Sequence, residues 1–391
     1  MHRAEPKPTQ DDPAFQLLIA CLNVSEGQPE QVQAIQEARA SLGEDWTSFI
    51  ALLERHHCLI PAVRALRDAA VEVPEALSTL ANQQQRRALA LCSRSLQLTE
   101  HLKAQGRRPV LLKGPLLSQW LFGDPAQRHS TDIDILVPWS DFEASIADLE
   151  RFGLERHGAR PPFGSWRINL WRRLAKDVTL LDPESGFAVE LHHRPKSPDT
   201  LLPGIDHSNA NVEMRLAATE QSVFSHGDMF VYLCVHASTS LWHRLKWLFD
   251  IKVLIDGLRD AEIDALLAHA KAHGCQRCAA LGLLLVHEIW GRPLPQSVIL
   301  LRESDDALKE LVAASMKRIR EPERRYSSLA NTLARRHLMQ LREDSEYRRS
   351  LRLEYIYDRE LLERYTLPKS LRWLYLPLRT SLFIQRKIGI R

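Results

Sequence analysis

From Pro13 to about Gly106 the apolar positions recur at three- and four-residue spacing, which predicts a run of helices. DWTSFIALLERHH (45–57) places Asp45 where an N-cap belongs, with an apolar stripe behind it. The longest periodic stretch, residues 73–106, has Pro74 near its start and Gly106 at its end, the usual punctuation of a helix. At residue 109 the period changes. PVLLKG (109–114) predicts a short buried strand closed by a glycine turn, and PLLSQWLFG (115–123) a helix with proline in its first turn. TDIDILVP (131–138) alternates and stops at a proline, so it predicts a strand. SDFEASIADLERFG (140–153) predicts an amphipathic helix capped by Ser140, with Glu143 three residues on. VTLLD (178–182) and FAVELHH (187–193) predict two more strands, joined as a hairpin through PESG. Residues 109–193 therefore predict a mixed unit of about four strands and two or three helices.

Beyond His193, the polar run RPKSPDTLLPGIDHSNAN predicts a connecting loop. Helices resume over residues 228–258 and continue to about Leu351. The expected fold class is α+β: a small mixed-sheet core (107–195) between an N-terminal helical region (1–106) and a C-terminal helical domain (196–352), then a basic, aromatic tail (353–391).

Composition narrows the classes. With 391 residues, 45% of them hydrophobic, the chain has material for a large core. Its 52 Lys and Arg nearly balance 49 acids, which argues against a dedicated nucleic-acid binder and against stable nucleic-acid binding. The polar, proline-bearing start MHRAEPKPTQDDP gives no secretory signal. Apolar runs such as LGLLLV (281–286) fall far short of the roughly 20 residues that a membrane span needs. Six scattered cysteines do not form a disulfide scaffold. The expectation is a soluble cytoplasmic protein.

The chemistry sits in HSTDIDILVP (129–138). Side chains alternate along a strand, so Asp132 and Asp134 share one face, roughly 7 Å apart. Two ionised carboxylates at that range repel, and burying either needs a partner of opposite sign. An Arg or Lys would serve, and Mg²⁺ serves better, because it prefers hard carboxylate oxygens. The same alternation in FAVELHH puts Glu190 on a face with Ala188 and His192. If the two strands are neighbours, three carboxylates converge, an arrangement suited to two Mg²⁺ ions clamping a phosphoryl group. The alternative is a turn residue at Asp132 and a solvent-facing Asp134.

VLLKGPLLSQWLFGDPAQRHSTDIDILV, FAVELHH and FVYLCVHASTSLWHRLKWLFDI together resemble an uncharacterised bacterial nucleotidyltransferase family of the polymerase-beta-like superfamily. The resemblance runs from about Leu111 to Asp250, and the tail LPKSLRWLYLPLRTSLFIQRK is also similar to the family's end. It implies Mg²⁺-dependent transfer of a nucleoside monophosphate from an NTP to an acceptor. By the resemblance, Asp132 and Asp134 match the metal-binding pair, Glu190 the third carboxylate and Gly114 the turn glycine. Pro115 departs from the superfamily's Gly-Ser or Gly-Gly turn and removes a backbone donor. The gap from Gly114 to Asp132 is also longer than is usual there.

An NTP needs cations along its approach. Lys113 beside the turn and Arg128 ahead of Asp132 are candidates, Arg as a fork and Lys as a point charge. Over 230–250, His236, Ser240, His243, Trp247 and Asp250 fall on one stripe of a predicted helix. That polar seam either lines a cleft, with Arg244 and Lys246 as further phosphate ligands, or ties the helical region together through His236 and Asp250. The arginine-rich stretch 151–176, with Trp166 and Trp171, either guides an acidic acceptor or RNA or is a solvated face. Cys275 and Cys278 have metal spacing without a second pair, and read as core cysteines. For the tail, docking on the body of the protein is preferred to a membrane surface, since Pro368 and Pro377 interrupt a long amphipathic helix.

The expected activity is two-metal nucleotidyl transfer by Asp132, Asp134 and Glu190, with Glu190 as proton acceptor and Lys113, Gly114 and Arg128 positioning the triphosphate. Two Mg²⁺ ions, an NTP and an unidentified hydroxyl acceptor (a small molecule, peptide or RNA end) are the partners. The rivals are a non-catalytic interaction protein on the same scaffold and a toxin-like transferase acting on RNA ends.

Overall fold

The computed structural model describes residues 12–23, 29–157, 161–321, 328–357 and 359–388. Five helices come first: α1 (Pro13–Cys21), α2 (Pro29–Leu42), α3 (Thr47–His56), α4 (Leu59–Asp68) and the 30-residue α5 (Glu75–Ala104). Asp45 lies one residue outside the α3 cap, where its carboxylate accepts from the Thr47 N–H at 2.9 Å.

The sheet unit follows in the order β1 (Val110–Leu111), α6 (Pro115–Phe122), β2 (Asp132–Leu136), α7 (Trp139–Arg151), β3 (Glu155–His157), α8 (Trp166–Leu174), β4 (Asp177–Leu181) and β5 (Ala188–His192). It has five strands in spatial order β1-β2-β5-β4-β3, one more than the sequence pattern predicts. Only three residues of β3 pair, all exposed, so β3 leaves no apolar alternation to read. The sheet is mixed: β2 and β5 run parallel, and the other pairs are antiparallel. The PESG hairpin forms as expected. Asp182 accepts from the Glu184 N–H and is gripped by Arg94 through two bonds of 2.6 and 3.0 Å. The expected Ser140 cap does not form. The helix begins at Trp139, and the Ser140 hydroxyl bonds Asp141 and Arg108 instead.

Within the stretch expected to be a loop and its continuation, β6 (Val212–Leu216) and β7 (Thr219–Val223) pair as a separate hairpin. Next come α9 (His226–Ser238), α10 (Leu245–Ile255), α11 (Asp260–Ala272), α12 (Gln276–Trp290), α13 (Gln296–Ser304), α14 (Asp306–Arg320), α15 (Ser328–Gln340), α16 (Ser345–Ile356), α17 (Arg359–Arg364) and α18 (Tyr375–Ile388). The single helix expected over 228–258 is two. Leu241 and Trp242 adopt left-handed backbone (φ 50° and 52°), and the buried Trp242 indole, bonded to Ser238, holds the break.

Two cores divide the molecule. Helices from both ends of the chain share one, in which α1, α3 and α4 pack with α9, α10, α12 and α14. The other joins the inner sheet face (Ile133, Ile135, Val189, Leu191) to α7, α8 and the C-terminal segments. Helix α5 serves both, with Leu77 and Ala81 in the first and Leu91, Leu98 and Leu102 in the second. No helix among the described residues is long and apolar enough to cross a membrane.

Candidate active site

Because β2 and β5 are parallel neighbours, the register pairs Asp134 with Glu190 and Leu136 with His192. Successive side chains alternate, so Asp134, Glu190 and His192 rise from one face, opposite the isoleucines and leucine in the core. Their ligating atoms all lie within 4.8 Å of one another. Asp132, opposite Ala188, stands beside this knot at the start of β2.

The cluster is knitted by cations. Lys113 Nζ is 3.1 Å from Asp134 Oδ2, and Lys176 Nζ is 2.8 Å from Glu190 Oε2 and also meets Asp177. His192 Nε2 sits between Asp134 Oδ1 (3.0 Å) and Glu190 Oε2 (3.3 Å). Burial opposes every one of these charges, but the ion pairs prevail. Lys113 and Asp134 hold each other charged, with the lysine pKa raised and the aspartate's held well below the carboxylate range. Glu190 is lowered, against burial, by the His192 bond and Lys176; His192 is raised, against burial and Lys176, by its bonds to the two acids. Asp132 goes the other way: burial and then the Asp134 charge raise its pKa.

The helical wall supplies the rest. Lys246 donates to the His129 carbonyl at 3.2 Å, and burial, then Arg128, push its pKa down to about 7. His236 is half-buried against Trp247 (5.6 Å between ring centres) and held well below the ordinary histidine range, by burial first and then by Lys113 and Lys196. Arg244 caps α10, its guanidinium 5.8 Å over the Trp247 ring. His236, His243 and Trp247 do meet, across the break between α9 and α10 rather than along one stripe.

The fold positions two further candidate residues. Arg128, 6% exposed, is forked by Asp250, 1% exposed, through three contacts of 2.9 to 3.0 Å, while its remaining nitrogen reaches Ser130 at 3.4 Å. Gly114 has φ 65° and ψ −136° as it turns the chain into α6. A side chain there would meet only ordinary contacts at 3.9 Å or more, so the backbone angle, not space, is what asks for glycine.

Sequence reasoning did not single out Lys196. The half-buried side chain bonds Thr239 Oγ1 at 3.2 Å, and its pKa is pushed down to about 7 by burial and by Lys176 and Lys113. Nothing in the loop-like RPKSPDT signals this. Lys176 was visible only as one member of a basic run, and register is the missing information: Asp177, the next residue, pairs with His192. That run is not one solvated face. Arg167 donates to the Leu362 and Tyr365 carbonyls, Arg172 stacks on Trp139, and Arg173 pairs with Asp199. Arg160 lies outside the described residues. Cys275 and Cys278 are both buried.

A parallel strand pair thus carries D-x-D beside a third carboxylate, following a glycine turn and walled by helices. No curated protein and no solved structure matches the chain. A family model described as an uncharacterised nucleotidyltransferase matches residues 43–291, from ahead of α3 to the glycine that closes α12. The match takes in the whole carboxylate cluster, its lysines and the α9–α10 wall, and on it the chain belongs to that uncharacterised nucleotidyltransferase family.

Proposed function

We propose that this chain moves a nucleoside monophosphate from an NTP to a hydroxyl acceptor at the Asp132, Asp134 and Glu190 cluster, with two Mg²⁺ ions, in the manner of the polymerase-beta-like superfamily. The register pair Asp134–Glu190, with Asp132 two residues before it, carries the reading. The donor set fits Mg²⁺. Its oxygens are hard, and burial together with the neighbouring Asp134 charge disfavours an ionised Asp132, a cost that a divalent cation would relieve. Bound there, Mg²⁺ would neutralise phosphate charge and lower the pKa of the attacking hydroxyl.

The acceptor oxygen forms its bond to the α-phosphorus as the bond to the β-phosphate oxygen breaks, and pyrophosphate leaves. The hydroxyl proton passes to a carboxylate of the cluster, and Glu190, held ionised by its His192 bond and Lys176, is ready to accept it. Lys246, Lys196 and Arg244 supply positive charge toward the triphosphate. Arg128 acts through position, pinning the approach to β2 against α10 by its Asp250 fork.

The test is incubation with cell extract and each NTP carrying ³²P in either the α or the γ position. Label from the α position, and none from γ, should enter a macromolecule or metabolite, with loss of transfer in Asp134→Asn. Absence of α-label transfer from folded protein with every nucleotide, or undiminished transfer by Asp134→Asn, would sink the reading. A non-catalytic scaffold draws on one observation, that Lys113 and Lys176 already neutralise Asp134 and Glu190. Mg²⁺–NTP affinity that vanishes in Asp132→Ala would count against it.

A further inference from the structure

A second group of metal-binding side chains lies on the helical wall, apart from the carboxylate cluster. Asp228 is in the first turn of α9, His269 is in the last turn of α11, and His273 caps the same helix one turn on. One ligating atom from each falls within 4.8 Å of the others. His269 Nε2 is 2.8 Å from Asp228 Oδ1, and the two imidazoles stand edge to face, 4.9 Å between centres. Spacing of i and i+4 on a helix puts both rings on one side, the usual handle for a single transition-metal ion.

The surroundings are shaped to these rings. His273 Nδ1 donates to the Pro203 carbonyl at 2.9 Å, which fixes the tautomer and leaves the lone pair on Nε2. Metal-bound histidines commonly hold their second nitrogen this way. Gly204, at φ 74°, lies so close that a Cβ would come within 3.0 Å of His273 Nδ1. A Cβ on Gly227 would likewise meet His269 at 3.0 Å. Asp228 is oriented from its other oxygen by Ser225 Oγ at 3.0 Å. Three segments far apart in sequence therefore seat two imidazoles and a carboxylate at one point, each ligand steadied by a neighbour.

From this geometry we infer that Asp228, His269 and His273 bind one divalent ion of the zinc class, leaving a coordination position for water. Two nitrogens and one oxygen suit Zn²⁺, Co²⁺ or Ni²⁺ and not Mg²⁺, so the site is chemically distinct from the carboxylate cluster. The ion clips the 203–204 turn and α11 to the start of α9, the helix that carries His236 against Trp247. His269 is partly open to solvent, with 37% of its side chain exposed, so the ion has a path in.

The test is titration of the full-length, metal-stripped protein with Co²⁺, followed by visible absorption. Wild type should develop an intense ligand-field band that saturates at one equivalent, apart from any weak absorption of Co²⁺ at the carboxylate cluster. The band should be lost in His269→Gln and in His273→Gln but kept in Asp132→Asn/Glu190→Gln, which disables the carboxylate cluster. Added Zn²⁺ should bleach the band and raise the melting temperature of wild type, by about 5 °C at saturating metal, and not that of His273→Gln. Circular dichroism confirms that each variant is folded, and Asp228→Asn serves as the third ligand variant if either histidine variant unfolds. No band in wild type, or a band unchanged by loss of these ligands, would overturn the assignment. A band lost only in Asp132→Asn/Glu190→Gln would place the ion at the other cluster and also overturn it.

Discussion

Asp132 and Asp134 are two residues apart and face the same way, yet their surroundings push them in opposite directions. Lys113 and His192 hold Asp134 ionised, while burial and Asp134 itself raise Asp132. Replacing Asp134 by Asn should therefore lower kcat by about 10³-fold, the effect of several kcal/mol of lost charge stabilisation, with the far-ultraviolet spectrum unchanged. Lys246 gives a pH-dependent prediction. Its pKa is lowered to about 7, so the ammonium gains its charge as pH falls through that value. NTP affinity measured from about pH 8 down to about pH 6 should rise, roughly three- to tenfold for one added charge near the phosphates. Lys246→Met should weaken the pH dependence and Lys246→Met/Lys196→Met should flatten it, since Lys196 is also lowered to about 7; a full profile in the double variant would assign the effect elsewhere. That Asp132 and Asp134 share a face was legible from alternation; that Glu190 joins Asp134 depended on β2 and β5 being neighbours, which the pairing supplies. Lys196 was not legible, because its role depends on a loop folding back to reach Thr239.

At the scale of elements, the joint between sheet and helical wall is the Arg128–Asp250 fork, which ties the approach to β2 to α10. Removing one partner leaves a buried charge alone, so Asp250→Ala should cost about 3–5 kcal/mol in urea unfolding, and the paired change Arg128→Leu/Asp250→Leu should recover much of it. If single and double variants are equally unstable, the fork is not what holds the elements together. The sequence pattern located α5, α6, β2, β4 and β5 because each has a clear period and its own punctuation. It missed β3, which is short and exposed, and the β6–β7 hairpin, which follows a stretch without apolar alternation. It fused α9 and α10, because Leu241 and Trp242 keep the helical spacing of apolar residues while their backbone leaves the helix. Tertiary burial of Trp242, not local preference, makes that break.

Across the whole molecule, segments distant in sequence close the structure. The Leu245 N–H donates to His56, so the N-terminal helices brace the start of α10, and Arg55 reaches the Arg318 carbonyl. At the other end, Arg167, 4% exposed, donates to the Leu362 and Tyr365 carbonyls, Trp166 donates to the Leu367 carbonyl, and the buried Tyr375 packs against Trp166. The start of the basic tail thus lies on α8. Arg167→Ala should lower stability by about 2 kcal/mol, since it strands buried carbonyls, and should leave NTP binding intact. A loss of binding without a loss of stability would instead put this arginine at the nucleotide. Between the elements so braced, on β2 and β5, three carboxylates are proposed to share two magnesium ions. Diffraction from crystals soaked with Mn²⁺ and a non-hydrolysable NTP tests that claim most directly. The account predicts two anomalous peaks, about 3.5–4 Å apart, ligated by Asp132, Asp134 and Glu190, with Lys113 and Lys176 drawn away from the acids toward phosphate. Lysines still paired to Asp134 and Glu190, with no anomalous density between the strands, would contradict it.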